Sequence, residues 1–370
     1  MKFEIVSQSF LKALSVVMRS VTSRAQLPVL ANVLLIADKS GIEMVSTDLE
    51  MSFRIKEGAR VSEEGRITVP AKVLFEFVST IKGGVLEIST NGDSLEIYSA
   101  NISSSFQTIS AEEYPEIPLF EGETDLEMES SAFVDSLNKV AIAASKDDSR
   151  PVFTGVMWKI NSSEIELVAT DGYRLARSVL LSKNREGLEV KPIVVPARAL
   201  VELGRVIGKE GKEKVKMKFQ LESSQVIFKV GEVELVSRLL GGDFPSYDKL
   251  IPTESQIKVS INKDDLLDAI KRASIFARDN ANIVRFDFTD SGVKVSARSP
   301  QMGKNESLVV CSGEVTVMAT AFNFRYLIDC LSVLDDNDVR FESAGSLKPG
   351  IFRGKDDSYL HMIMSMKLPD

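Results

Sequence analysis

His361 is the single histidine in 370 residues, and Cys311 and Cys330 are the only cysteines. Those counts limit the chemistry at once. One imidazole cannot build a histidine-rich metal centre, and two thiols do not complete a zinc site, so no metal ligand is assigned. A Ser-His-Asp or Cys-His triad would have to recruit His361, which stands in an apolar, alternating stretch patterned like a partly buried strand. Neither a GxxxxGK(S/T) phosphate loop nor a GxGxxG after a strand occurs. Gly83-Gly84 and Gly241-Gly242 read as turns. Carboxylate chemistry stays open, because Asp and Glu total 53. Asp48, Asp171 and Asp243 are the acids a hydrolase could use, although Asp48 falls in the first repeat and the other two in the second. No catalytic residue and no cofactor are assigned.

Elements that would position any site follow from composition and pattern. Hydrophobic residues make up 44 % and charged residues 26 %, which is globular composition. At about 100–200 residues per domain, the chain holds two or three domains. No apolar run approaches the ~18 residues of a membrane span, so no membrane partner is expected. Met1-Lys2-Phe3-Glu4-Ile5-Val6 alternates like a strand and lacks a signal-peptide core. With so few cysteines, a reducing, cytoplasmic compartment fits.

The strongest signal is self-similarity. Val69-Pro70-Ala71 recurs as Val195-Pro196-Ala197, 126 residues on, and a further 126 reaches Ala321-Phe322-Asn323. Thr47-Asp48-Leu49 is echoed by Thr170-Asp171-Gly172, and Leu27-Pro28-Val29-Leu30 by Arg150-Pro151-Val152-Phe153, both 123 apart. Glu113-Tyr114-Pro115 and Asp243-Phe244-Pro245 close their units. A period this long marks duplicated domains, divided here as 1–120, 121–252 and 253–370. Each unit reads as strand, amphipathic helix, several strands, second helix, more strands. Phe10, Leu14 and Val17 are spaced helically in the first unit, as are Phe133, Leu137 and Val140 in the second and Leu266, Ile270 and Ala273 in the third. The second helices carry Val73, Leu74, Phe77 and Val78, then Leu200 and Leu203, then Leu327 and Leu331. Pro70 and Pro196 suit a first helical turn. Two helices among hairpin-linked strands in each unit predict an α+β fold with antiparallel sheets.

The formal charge is −8, which argues against ordinary nucleic-acid binding. Its distribution differs from its sum. The six helical stretches carry +6, so the remainder carries −14. Lys12, Arg19, Lys72, Lys139, Arg198, Arg205, Lys271 and Arg272 fall on faces expected to be exposed. Solvated helix faces often carry such residues, so this pattern alone fits either a plain surface or a phosphate-attracting one.

Three such units, with Ala169-Thr170-Asp171-Gly172-Tyr173-Arg174-Leu175-Ala176 in the second, resemble the bacterial DNA polymerase III beta subunit, the sliding-clamp family. The resemblance spans the chain, through Leu27-Pro28-Val29-Leu30-Ala31-Asn32, Thr47-Asp48-Leu49-Glu50-Met51, Phe244-Pro245-Ser246-Tyr247, Phe322-Asn323-Phe324-Arg325-Tyr326 and Met364-Ser365-Met366-Lys367-Leu368. It implies a DNA clamp fold: a head-to-tail homodimer whose six domains close a ring around double-stranded DNA, helices inward. It implies a processivity factor, not an enzyme. The ring would bind DNA without regard to sequence, be loaded by a clamp loader, and tether the replicative DNA polymerase and other replication and repair proteins through short peptide motifs.

Carried over residue by residue, the family's hydrophobic peptide groove falls on Thr170, Gly172, Tyr173, Arg174 and Leu175. Phe153, Pro245, Lys249 and Leu250 join from elsewhere in the second domain. Asn323, Tyr326, Leu347, Met362, Ile363, Met364, Ser365 and Met366 come from the third. Methionines suit a surface that accepts many ligands, although Met362, Met364 and Met366 also fit plain strand alternation. Ser365 stands where many relatives have proline, Tyr173 where others have histidine, and Pro369-Asp370 extends the usual end. For DNA the match falls on Arg24 and Arg150, while Asp147 and Asp148 replace an expected neutral contact. For the dimer it falls on Phe106 and Thr108 facing Ile275 and Phe276, although Phe106 could equally pack inside its own domain. A monomeric three-domain scaffold remains the other binding-class alternative.

Overall fold

Each sequence repeat folds in the same order of strand, helix, five strands, helix, three strands. The structure is a computed structural model and describes residues 1–22, 27–208, 211–252 and 254–367. The first repeat contains β1 (Lys2–Val6), α1 (Ser7–Val17), β2 (Asn32–Asp38), β3 (Gly41–Thr47), β4 (Met51–Glu57), β5 (Arg60–Glu63), β6 (Gly65–Pro70), α2 (Ala71–Ser79), β7 (Val85–Asn91), β8 (Ser94–Ser99) and β9 (Ile102–Gln107). The second contains β10 (Leu126–Glu129), α3 (Ser130–Ala141), β11 (Gly155–Ile160), β12 (Glu164–Thr170), β13 (Arg174–Leu181), β14 (Lys183–Asn184), β15 (Ile193–Pro196), α4 (Ala197–Ile207), β16 (Lys214–Gln220), β17 (Gln225–Val230) and β18 (Val233–Arg238). The third contains β19 (Ile257–Asn262), α5 (Lys263–Ala277), β20 (Ile283–Thr289), β21 (Gly292–Ser299), β22 (Gly303–Val309), β23 (Cys311–Glu314), β24 (Met318–Asn323), α6 (Phe324–Ser332), β25 (Asp338–Ser343), β26 (Gly350–Arg353) and β27 (Tyr359–Ile363).

Local rules account for the helices. In α1, Phe10, Ala13, Leu14 and Val17 form one buried stripe at helical spacing. In α5, Asn262 caps the first turn by accepting from the Asp265 amide at 3.0 Å. Asn323 caps α6 in the same way, accepting from the Arg325 amide at 3.0 Å. Two expectations need correcting. Val73 faces solvent on α2 rather than joining Leu74 and Val78 in the buried stripe. Pro70 and Pro196 are the last residues of β6 and β15, pairing with Asn32 and Gly155. Pro70 has φ −53° and ψ 108°, so its locked φ serves an extended residue and the helix starts at Ala71.

The chain folds as two compact units. The first comprises Met1–Ser131, Lys183–Leu188 and Glu202–Leu239, the second Ala132–Ser182, Glu189–Val201 and Leu240–Asp370, so the second repeat contributes to both. The first unit holds a five-stranded sheet, β5-β1-β7-β8-β9, and a nine-stranded sheet, β14-β10-β16-β17-β18-β4-β3-β2-β6. The second holds a nine-stranded sheet, β15-β11-β12-β13-β27-β26-β25-β19-β23, and a four-stranded one, β22-β21-β20-β24. Neighbouring strands pair antiparallel. Each nine-stranded sheet is two half-sheets from successive repeats joined edge to edge, through β4·β18 in one unit and β13·β27 in the other.

Aromatic packing fixes the third repeat. Phe288 stacks on Phe341 at 5.0 Å, and Phe322, Phe341 and Phe352 meet edge to face. Gly350 lies against this cluster, where a Cβ would come within 2.6 Å of Phe322 Cζ. A side chain there would wedge the joined sheet away from its core.

Candidate functional site

Of the residues expected to form a groove, Tyr173, Arg174, Leu175, Met362, Ile363 and Met364 meet at the β13·β27 joint of the second unit. Arg174 pairs with Ile363 and Leu175 with Met362. The turn before β13 is built by local bonds. Thr170 donates its hydroxyl to the Arg174 carbonyl at 2.6 Å and accepts from the Gly172 amide at 3.0 Å. Asp171 Oδ1 accepts from the amides of Tyr173 and Arg174 at 2.9 and 3.0 Å. Gly172 sits at φ +89°, in the left-handed region, with open space where a Cβ would be. Beyond β27, the Met364 amide donates to the Tyr173 carbonyl and the Met366 amide to that of Ala321.

On one face of this joint lies an apolar floor. Met157, Val168, Leu175, Val194, Tyr247, Ile351, Leu360 and Met362 are buried together, with Val152, Leu240, Phe244 and Ile251 packed against them but only partly covered. Large apolar groups stand out at the surface nearby in sequence: Tyr173 is 67 % exposed, Leu250 50 %, Leu347 70 % and Met364 38 %. Pro245 and Lys249 are exposed, Phe153, Tyr326, Ser365 and Met366 are half-buried, and Ile363 is fully buried. Gly155 lets the floor close, because a Cβ there would meet Val194 Cγ1 at 2.5 Å and Leu240 Cδ1 at 2.7 Å.

Arg174 and Asn323 are engaged by their own chain. Arg174 Nε donates to Asp171 Oδ2 at 3.1 Å and Nη1 to Asp329 Oδ2 at 2.6 Å, and its guanidinium lies over the Tyr326 ring at 4.5 Å. It therefore ties β13 to α6 and braces the wall. Asn323 Oδ1 is occupied as the α6 cap. His361 is wholly buried; it shares a 2.9 Å hydrogen bond through Nδ1 with the Tyr359 hydroxyl, which also reaches the Lys139 carbonyl at 3.2 Å. Burial foremost, and then the Arg174 charge, push its pKa down to about 3. A neutral, inaccessible imidazole cannot serve as a general base. Asp48 and Asp171 are likewise held by turn amides, which leaves neither poised as a hydrolytic pair. Among the described residues, no cluster of three or more His, Cys, Asp or Glu is arranged to hold a metal ion.

The first unit carries a counterpart of the same joint. Asp48 Oδ1 accepts from the Glu50 and Met51 amides at 3.0 and 2.8 Å, and the Arg238 amide donates to the Glu50 carbonyl at 2.9 Å. There the apolar face carries a buried cluster of the same kind, with Val29, Leu30, Leu34, Val45, Ala111 and Tyr114 buried and Ile36, Ile109 and Ile117 packed against them but only partly covered. Tyr114 donates to the Val45 carbonyl at 3.3 Å. In the second unit Gly241 and Gly242 stand near the corresponding place, and the nearest atom to a Cβ on Gly242 is Val152 Cβ at 4.0 Å. Sequence reasoning missed Val152, Met157, Val168, Val194, Leu240, Phe244, Tyr247 and Ile251. Phe244 was within reach, since it belongs to the repeated Asp243-Phe244-Pro245 segment that closes the second repeat.

The basic residues are less uniform than their pattern implies. Lys12, Lys72, Arg150, Arg198, Arg205, Lys271 and Arg272 are exposed. Lys139 is bonded to Asp135 at 2.6 Å, Lys72 lies 4.0 Å from Glu76, and Arg150 covers the Phe153 ring at 5.6 Å. Arg19 is half-buried against Glu202. Arg24 lies outside the described residues. At the expected dimer contact, Phe106 is buried in its own unit, edge-on to Phe77 at 5.3 Å. Thr108 donates to the Asp93 carbonyl at 2.7 Å. Ile275 is 52 % exposed and Phe276 half-buried.

Family models of the DNA polymerase III beta subunit match almost the full chain: the N-terminal domain over residues 1–118, the central domain over 127–246 and the C-terminal domain over 248–367. A beta sliding clamp of Staphylococcus aureus is 28 % identical over 380 residues, covering 99 % of both chains. One of Staphylococcus epidermidis is 28 % identical over 369 residues, covering 96 % of both. Among solved structures, the DNA polymerase sliding clamp from Bacillus subtilis superposes with a TM-score of 0.94 at 26 % identity, and that from Pseudomonas aeruginosa with ligand at 0.91 and 25 %, each covering all of both chains.

Proposed function

We infer the function from the premise that this chain belongs to the DNA polymerase III beta subunit family: it is a DNA sliding clamp. On our reading it acts as a homodimeric ring of three clamp domains per chain, residues 1–120, 121–252 and 253–370, in the cytoplasm. It performs no catalysis of its own.

One observation carries the ring. Within the chain, a strand of the β4 type in one repeat pairs with a strand of the β9 type in the next: β4 with β18, and β13 with β27. That rule leaves one strand of each type over, β22 in the third repeat and β9 in the first. Both are terminal strands, of the four-stranded and five-stranded sheets. Pairing β22 of one protomer with β9 of the next applies the same joint a third time and builds a third kind of nine-stranded sheet. A head-to-tail contact of this kind makes a closed ring when the rotation closes. Unpaired strand edges favour such pairing.

Encirclement makes tight DNA contacts unnecessary. The exposed cations, with Arg24, supply a weak attraction to phosphate that ignores sequence. The apolar floor at β13·β27 takes a short extended peptide with hydrophobic anchors from the replicative polymerase, the clamp loader and other replication and repair proteins. Most of its energy would sit in a few buried anchors, and an affinity near about 1 µM, roughly −8 kcal/mol, fits a mobile peptide that loses entropy on docking.

The test is retention of loaded protein on DNA. It should persist on closed circular duplex and escape when the circle is linearised. Equal retention on linear DNA with free ends would replace encirclement by direct binding.

A further inference from the structure

Arg19 and Arg205, both expected among the DNA-facing cations, converge on one carboxylate. Arg19 Nη1 lies 2.7 Å from Glu202 Oε2, and Arg205 Nη1 donates to Glu202 Oε1. Arg19 sits in the 3-10 turn Met18–Ser20 that follows α1, while Glu202 and Arg205 lie three residues apart on α4. The carboxylate is largely covered, and Arg19 is the more buried of the two arginines. Arg19 Nε is buried without a hydrogen-bond partner, so its hold on Glu202 runs through the Nη1 end of the guanidinium.

This arrangement has an electrostatic cost for phosphate binding. Two guanidiniums free in solvent would present two charges, each able to displace a counterion from DNA. Bridged by one carboxylate, they present a net of one, and their N–H groups are partly spent on Glu202. For a protein that must stay on DNA and still move, that reduction is useful, because each neutralised phosphate steepens the salt dependence and slows release.

We propose that Glu202 is a positioning residue that limits phosphate affinity: it fixes Arg19 and Arg205 as an ion triad and cancels one of their two charges. The proposal rests on the reading of the chain as a DNA clamp. A purely structural alternative exists, in which the triad only ties α4 to the end of α1. The two differ in what removal of the charge does to DNA binding.

The experiment compares full-length wild type, Glu202→Gln and Glu202→Asp. Each binds fluorescent duplexes of two unrelated sequences across a range of low to moderate salt, with thermal midpoints measured in parallel. Glu202→Gln should bind both duplexes about three- to tenfold more tightly at the lowest salt, with the slope of log affinity against log salt steeper by about one. Glu202→Asp, which keeps the charge, should match wild type. A changed midpoint with unchanged DNA affinity and slope would establish the structural role alone and overturn the proposal. Glu202→Asp behaving like Glu202→Gln would overturn it too, because shape and not charge would then matter. Wild type that shows no salt-dependent binding to either duplex would instead remove the DNA-binding reading beneath it, so the two failures are distinguishable.

Discussion

Met364 donates its backbone amide to the carbonyl of Tyr173 at 2.9 Å. The bond carries the β13·β27 ladder past its last pair, Arg174 with Ile363. It fixes the tail beside the turn that begins with Thr170, so the wall and the last strand share one frame. The counterpart bond in the first unit, from Arg238 to Glu50, has the same length. The two joints are thus alike in backbone, and each carries a buried apolar cluster on one face.

Deleting Met364 to Asp370 removes both tail bonds, to Tyr173 and to Ala321, together with the half-exposed Met364 side chain. Peptide binding should fall at least about tenfold, 1.4 kcal/mol or more, while the dimer persists, because neither β9 nor β22 is touched. Calorimetry with a polymerase-derived peptide, alongside sedimentation, measures both. Unchanged affinity would place the groove elsewhere.

The paired turns predict opposite signs for two glycine exchanges. Leu49 occupies φ +74° where its counterpart Gly172 has φ +89°. A leucine in the left-handed region costs about 1–2 kcal/mol, against roughly 0.5–1 kcal/mol of chain entropy that a glycine would add. Leu49→Gly should therefore be neutral to stabilising by up to about 1 kcal/mol, and Gly172→Ala destabilising by about 1 kcal/mol. Urea unfolding reads both, and a common sign would contradict the shared geometry.

The proposed third joint carries a definite register if it repeats the two within the chain. Val236 faces Ser52 and Met362 faces Leu175 in the two joints within the chain. Following the ladders through each repeat, Ser105 is the counterpart of Val236 and Met362, and Lys304 that of Ser52 and Leu175. Ser105→Cys with Lys304→Cys should then cross-link in high yield between protomers, since directly opposed Cα atoms fall within disulfide range. Changing Ile275 and Phe276 to alanine should shift dimer to monomer with little loss of protomer stability, because Ile275 is half exposed. Phe106→Ala should cost about 3–5 kcal/mol in folding as well, since Phe106 already packs on Phe77. A cross-link that forms only in a shifted pair would show the register to be wrong.

What could be read from the residues was what depends on near neighbours. The echo of Thr47-Asp48 in Thr170-Asp171 reports a turn whose bonds span two to four residues, so the same letters give the same geometry. The helix stripes and the strand-to-helix step after Pro70 and Pro196 are local in the same sense. Arg174 was legible as a site residue, but Asp329, 155 residues away, was not, and that partner ties Arg174 to α6. Arg19 and Glu202 are 183 residues apart, and no spacing rule joins them. The floor residues Met157, Val168 and Val194 look like any buried strand positions. Only the sheet order shows that two half-sheets meet there, or that β9 and β22 are left at sheet ends.

His361 should make stability depend on pH in a defined direction. Its pKa in the folded protein is pushed down to about 3 from an ordinary 6.5, first by burial and then by the charge of Arg174. Between those values the unfolded chain takes up a proton that the folded chain refuses, so stability is complete above about 6.5 and falls as the pH drops toward 3. The gap corresponds to at most about 5 kcal/mol, a large share of the roughly 5–15 kcal/mol that holds a typical domain. Asp135 and Asp329 are ion-paired with Lys139 and Arg174. His361→Phe keeps an aromatic ring of similar width but carries no titrating group. Its loss of the Tyr359 hydrogen bond should cost about 1 kcal/mol at pH 7.5. Between pH 7.5 and 4.5 its unfolding free energy should fall less steeply than that of wild type, so the two curves approach or cross. Urea titrations across that range measure the slopes, and parallel curves would mean that His361 is protonated in the folded state after all.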